Sequence, residues 1–218
     1  MLLVVLLGVF LVLSTACSGG DEPVAEAQVQ SFPNRSATAN AGNEEEVWAA
    51  LLAKPLHFPA LLPDGTCPAT VSSGLLGQFE VAGAGPIRTS SGRGTMQLPV
   101  GPQFAGPDGW FAVKTLWISS GYDGPALIRG ARLDAPGEVR FSYNVVEHDG
   151  RFAGRQVIDG SELRFPAGDT GVSGGGYGPD ARYFPSHTHV EAPGCYAWQI
   201  DGPDFTDVIV FEAVSTQP

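Results

Sequence analysis

Residues 139–145 alternate without interruption, Val139, Phe141, Tyr143 and Val145 against Arg140, Ser142 and Asn144. That is the period-two pattern of a half-buried strand. Apolar segments of strand length recur at 110–118, 126–133, 152–158, 182–190, 195–200 and 205–213. Turn signals separate them: Gly121 with Asp123-Gly124-Pro125, then Ala135-Pro136-Gly137, Asp149-Gly150, Asp159-Gly160, Pro193-Gly194 and Asp201-Gly202-Pro203. From Cys67 onward no stretch keeps a helical period. With 29 Gly and 18 Pro, the pattern predicts an all-β fold, an immunoglobulin-like antiparallel β-sandwich rather than a βαβ arrangement. Near the C-terminus it predicts Tyr196, Trp198 and Ile200 on one strand face and Cys195, Ala197 and Gln199 on the other. The turn at 201–204 then leads into a final strand whose Phe205, Ile209 and Phe211 continue the core. The glycine-rich run 171–178 reads as one long loop.

Ahead of the strands the pattern changes. Asn43 followed by Glu46 has capping-box spacing, which predicts a short helix with Trp48, Leu51 and Leu52 as its apolar face. Glu44 and Glu45 favour its positive end, and Pro55 stops it. Residues 56–63 form an apolar, proline-punctuated lead into the domain. Residues 18–42, rich in Ser, Gly, Ala, Pro, Asn and Glu, contain too little apolar surface to offset ordering entropy and read as a tether. Such a tether spans on the order of 25 to 30 Å.

The first thirteen residues are an apolar run, followed by Ser14, Thr15, Ala16 and then Cys17. This is the pattern of a bacterial lipoprotein signal, although no Lys or Arg precedes the run. The run is shorter than the ~20 residues of a spanning helix. The expected organisation is a signal at 1–16, a lipidated Cys17 and tether over 17–42, and a single domain at 43–218. An ordinary signal peptide and an uncleaved anchor are the alternatives.

Charge narrows the partners. With 23 acidic against 12 basic residues the net charge is -11, and no cationic cluster exists to follow a phosphate backbone, so nucleic acid is not expected. Setting Cys17 aside leaves Cys67 and Cys195. One disulfide is the simplest use of two cysteines outside the cytoplasm; a reduced pair or a metal pair is the alternative.

The segments Arg182-Tyr183-Phe184-Pro185-Ser186, Ala192-Pro193-Gly194-Cys195-Tyr196-Ala197-Trp198-Gln199-Ile200-Asp201-Gly202 and Val208-Ile209-Val210-Phe211 form a C-terminal pattern. With Lys114-Thr115-Leu116-Trp117 and Gly124-Pro125-Ala126-Leu127-Ile128-Arg129-Gly130, the chain resembles a group of bacterial secreted or lipid-anchored proteins of no established activity. The likeness runs over residues 56 to about 214. It implies the Cys67–Cys195 pairing and an extracytoplasmic place, and no reaction.

Candidate chemistry is sparse. His187 and His189 share a strand face and would offer two imidazoles to a divalent metal, with Glu191, His57 or His148 as a third ligand. A solvated strand face is the plain alternative. Trp110, Trp117 and Trp198 would either stack on a ligand or fill the core. Gly171-Val172-Ser173-Gly174-Gly175 matches a nucleophile elbow in letters, but no helix follows it. Asp201, Asp204 and Asp207 would suit calcium in a turn, without EF-hand spacing. The expectation is a lipid-anchored module on the outer face of a bacterial membrane, monomeric and without a cofactor. It would bind an envelope protein, a glycan or a small ligand. A metal-dependent hydrolase using His187 and His189, or a purely structural envelope protein, is the alternative.

Overall fold

A computed structural model of the chain describes residues 41–91, 94–98, 109–146, 152–167, 172–173 and 181–215. The predicted signal, Cys17, most of the tether and His148 lie outside the described residues. The elements are α1 (Ala41–Leu52), β1 (Gly74–Leu76), β2 (Phe79–Val81), β3 (Ile87–Thr89), β4 (Thr95–Leu98), β5 (Phe111–Ser120) and β6 (Ala126–Arg132). They continue with β7 (Arg140–Val146), β8 (Phe152–Gly160), β9 (Glu162–Phe165), β10 (Val172–Ser173), β11 (Ala181–Val190), β12 (Gly194–Asp201) and β13 (Thr206–Ser215). The described residues are therefore mostly β-strand with one short helix.

Two sheets carry the fold. One runs β3-β5-β11-β7-β8, with β10 pairing with β11; the other runs β4-β13-β12-β6-β9; β1 and β2 form a separate hairpin. The expected antiparallel pairing needs one correction, because β4 lies parallel to β13, Thr95 opposite Glu212. β4 reaches that edge by a connection rather than a hairpin, so nothing in its local sequence fixes its direction. An isolated bridge joins Ala131 of β6 to Glu138, two residues before β7, and β7 approaches β9. The sheets thus curl toward one another along that side, as in half of a barrel.

The alternation read from sequence decides which side chains fill the space between them. Trp117 from β5 and Trp198 from β12 meet edge to face at 5.0 Å, and Trp198 stacks on Phe211 at 4.0 Å. Ile87, Met96, Leu98, Ile128, Phe141 and Phe165 surround them, so both sheets close on one core. Tyr196, Trp198 and Ile200 point into it, while Cys195 and Ala197 pack on the opposite face. Gly130 lies opposite Trp198 in register. A Cβ there would sit 2.9 Å from both the Ala197 carbonyl oxygen and Val139 Cβ, so the crowded contact needs glycine.

α1 begins at Ala41, which places Asn43 inside its first turn rather than at the cap. Trp48 and Leu51 are buried against Leu127 of β6, but Leu52 is exposed, so the apolar face is narrower than predicted. The chain after α1 has no helix or strand until Gly74. This segment, here called the strap, lies across the outer face of the five-stranded sheet, where Phe58, Leu61 and Cys67 pack on Cys195, Ala197 and Val210. The Cys67–Cys195 disulfide pins it across a separation of 128 residues. Thr70 adds two hydrogen bonds, its N–H to the Val210 carbonyl (2.8 Å) and its Oγ1 accepting the Val210 N–H (2.9 Å).

The other end of the strap is held by polar side chains of the sheet. Asp201 is fully buried and pairs with Arg129 Nη2 at 2.7 Å. Thr206 Oγ1 donates to the same carboxylate at 2.7 Å, and Gln199 Nε2 lies 2.9 Å from it. Arg129 in turn donates to the carbonyls of Leu52 (3.2 Å) and Lys54 (2.8 Å). Gln199 donates to the Pro55 carbonyl (2.9 Å) and accepts the His57 N–H (2.7 Å). Lys54 Nζ reaches the carbonyls of Gly202 and Phe205. Removing one partner of a buried pair leaves the other charge uncompensated, which costs about 3 to 5 kcal/mol. Asp201→Ala is therefore expected to lose that much in urea unfolding, and Asp201→Asn distinctly less, because its amide oxygen still accepts from Thr206.

Candidate functional site

The two histidines do share a face. Ser186 and Thr188 of β11 point into the core, where they bond Trp117 Nε1 (3.1 Å) and Thr115 Oγ1 (2.8 Å). His187 and His189 consequently lie on the outer face of the six-stranded sheet. Their neighbours are unfavourable for a metal. Lys114 stands opposite His187 and Arg140 opposite His189 in register, two cations beside any bound cation. His189 is buried and its Nε2 is 2.8 Å from Ser142 Oγ. Glu191 acts electrostatically on Arg132 and Tyr196 instead, and the backbone of His57 is bound to Gln199 on the other sheet. Among the described residues no three His, Cys, Asp or Glu side chains converge as ligands.

Ser142 and His189 have the spacing of a nucleophile and its base. Their exposures of 4% and 6% leave the pair closed to a substrate, and they serve as a satisfied buried hydrogen bond. Sequence reading missed this pairing because Ser142 is a diagonal neighbour of His189, two residues from its register partner. Arg140 lies over the Trp110 ring at 4.4 Å and pairs with Glu138, so Trp110 carries a cation on its face. Trp117 and Trp198 are fully buried and cannot stack on a ligand from solvent. Ser173 lies in β10, opposite Arg182, and is part of a strand pair rather than an elbow.

Two of the three turn carboxylates are engaged as well. Asp201 belongs to the strap network, and Asp207 Oδ2 accepts the N–H groups of Ala84 and Gly85, both at 2.9 Å. These bonds consume the oxygens that calcium would need from those two residues.

Among the described residues a cleft of about 320 Å³ opens beside the helix, lined by Asn43, Glu44, Val47, Trp48, Pro125, Pro166 and Ala167. α1 supplies one wall; the prolines before β6 and after β9 supply the other. Trp48 Nε1 donates to Glu44 at 3.2 Å, and Arg164 lies 5.3 Å from the Trp48 ring centre while paired with Glu162. The indole is thereby fixed with one edge toward the cleft's carboxylate. The volume is at the lower end for a ligand pocket, and Asn43 and Glu44 add polar groups to an otherwise apolar lining. Sequence alone marked Trp48 only as a core-facing position of α1, and gave no sign that Pro125 and Pro166 would stand near it. Comparison of the chain with protein-family models, with curated proteins and with solved structures finds no match.

Two outcomes test these assignments. Trp198→Ala is expected to cost about 3 to 5 kcal/mol in chemical unfolding, as removal of a buried aromatic does; a solvent-facing stacking residue would cost within about 0.5 kcal/mol. His187 is held below its ordinary value of 6.5 by burial first and by the Lys114 charge second. The folded state then binds its proton less readily than the unfolded chain, so stability falls as pH drops from about 6.5 toward the lower folded value. An NMR titration of His187 should have its midpoint below 6.5, and His187→Gln should flatten the acid-side loss of stability.

Proposed function

We propose that the chain is a lipid-anchored, extracytoplasmic module of the bacterial cell envelope that acts by binding, with the cleft beside α1 as its site. The observation that carries this reading is the cleft itself, walled by Trp48 and two prolines; His189, Asp201 and Asp207 are each held in hydrogen bonds or an ion pair. The volume suits a small ligand or a short stretch of peptide or glycan. The apolar run 1–13, followed by Ser14, Thr15, Ala16 and Cys17, supports the anchor. The Cys67–Cys195 bond supports an oxidising compartment outside the cytoplasm.

The finer assignment of the framework to the immunoglobulin-like sandwiches belongs to the same reading. Two sheets about one core support it. The parallel β4–β13 pair, the curl between the sheets and a disulfide on the outer face set it apart from antibody-type domains, whose bridge crosses between the sheets. The hydrolase alternative would need a third ligand beside His187 and His189, in a face bordered by Lys114 and Arg140.

Indole N–H resonances of the folded chain separate these readings. A panel of short peptides and oligosaccharides should shift the Trp48 signal and leave the buried Trp117 and Trp198 unmoved, and zinc should leave the His187 ring unchanged. Silence at Trp48 across the panel, with a zinc-dependent shift at His187, would replace binding by metal chemistry.

A further inference from the structure

The surface with the least explanation is the outward side of the strap. The large hydrophobic side chains exposed among the described residues are Leu52, Leu56, Leu62, Val71 and Leu75, all within one stretch of 24 positions. Over residues 52–63 the outward positions are nearly all apolar. Leu52, Leu56 and Leu62 are exposed to 39%, 43% and 47%, and Pro55, Pro59 and Pro63 are exposed as well. Lys54, the cation of this segment, is turned inward onto the carbonyls of Gly202 and Phe205, and His57 is the outward titratable residue. Between Glu46 and Glu80 the sequence contains one Lys and one Asp, in a chain of net charge -11. Soluble surfaces rarely leave an apolar strip of this kind uncovered.

We infer that this strip, residues 52–63, rests on the lipid bilayer that carries the N-terminal anchor, a conclusion that depends on the lipid-anchor reading above. Three observations select a bilayer over a protein. The strip presents Leu, Pro and Ala and lacks outward Trp, Tyr, Arg and Met, the residues that dominate protein hot spots. Membrane contact grows with the apolar area buried, which the leucines and prolines of the strip supply. The strap follows α1 directly, and residues 18–40 separate α1 from Cys17, so the strip lies one short helix beyond the tether. Charge then orients the domain: an acidic body is repelled by anionic headgroups within a Debye length, and the neutral strap is not. An anchored domain meets the bilayer at high effective concentration, so a contact too weak to recruit a free protein is still populated.

The test uses the full chain with its own signal, reconstituted in vesicles of phosphatidylcholine and anionic phosphatidylglycerol. Leu56→Cys or Leu62→Cys carries an environment-sensitive fluorophore on its new thiol, with Lys114→Cys on the opposite sheet as the control. Lipid-borne spin labels should quench the probes at 56 and 62 several-fold more than the probe at 114, and Leu56→Glu should abolish quenching at 62. Equal quenching at all three positions, in a chain whose intact mass shows a lipidated Cys17, would overturn the inference and leave the anchor standing. If the mass shows no lipid, the anchor reading fails on its own. The same probes still decide the strip, since quenching of the unlipidated chain would support it and none would overturn it. A blue shift that grows with protein concentration in the absence of vesicles would give the strip to a second copy of the chain and overturn the inference.

Discussion

The arrangement depends on a carboxylate buried where no water can reach it. Asp201 stands on the outer face of β12, a position that would face solvent in a bare sheet, yet it is fully buried. A lone charge there would be untenable. Arg129, Gln199 and Thr206 meet its oxygens, and two of these three side chains also grip the backbone of the strap. The charge is thus tolerated because the strap is in place, and the strap is in place because β6 and β12 present polar groups to its carbonyls. Pro55 fits this scheme, since it brings a carbonyl to be bonded and no N–H to be left over.

The same fastening sets where function can lie. The outer face of the five-stranded sheet is taken up by the strap, and part of the outer face of the six-stranded sheet is covered by the β1–β2 hairpin, whose Val81 packs with Ile118 and Ala181. The interior is filled by Trp117, Trp198 and Phe211. Trp198 Nε1 has no hydrogen-bond partner among the described residues, a cost that packing against two aromatic rings offsets. The cleft described above is at the helix, and α1 owes its position to Leu51 on Leu127 and to Arg129 at its C-terminal carbonyls.

Much of the sheet was legible because alternation is a local property. β5, β6, β7, β8, β11, β12 and β13 fall on the predicted segments, and the two faces of β12 fall as the pattern requires. β1 to β4, β9 and β10 were missed. They are two to four residues long, too short to express a period, and they exist because longer neighbours offer them an edge. The site was less legible. Gln199 read as an ordinary polar strand position and Asp201 as a turn carboxylate suited to calcium, and only the long-range return of residues 52–57 draws them into holding the backbone. His187 and His189 were correctly placed on one face, but register, which pairs them with Lys114 and Arg140, is set by tertiary contacts rather than by spacing.

The most direct measurement is native-state hydrogen exchange at the His57 amide, which donates to Gln199 Oε1, after the Cys67–Cys195 bond has been reduced. If the Asp201-centred network fastens the strap, that amide stays protected nearly as long as the amides of β12 even with the disulfide open. If it exchanges freely while β12 remains protected, the disulfide alone held the strap and the buried carboxylate is not the constraint on which the structure depends.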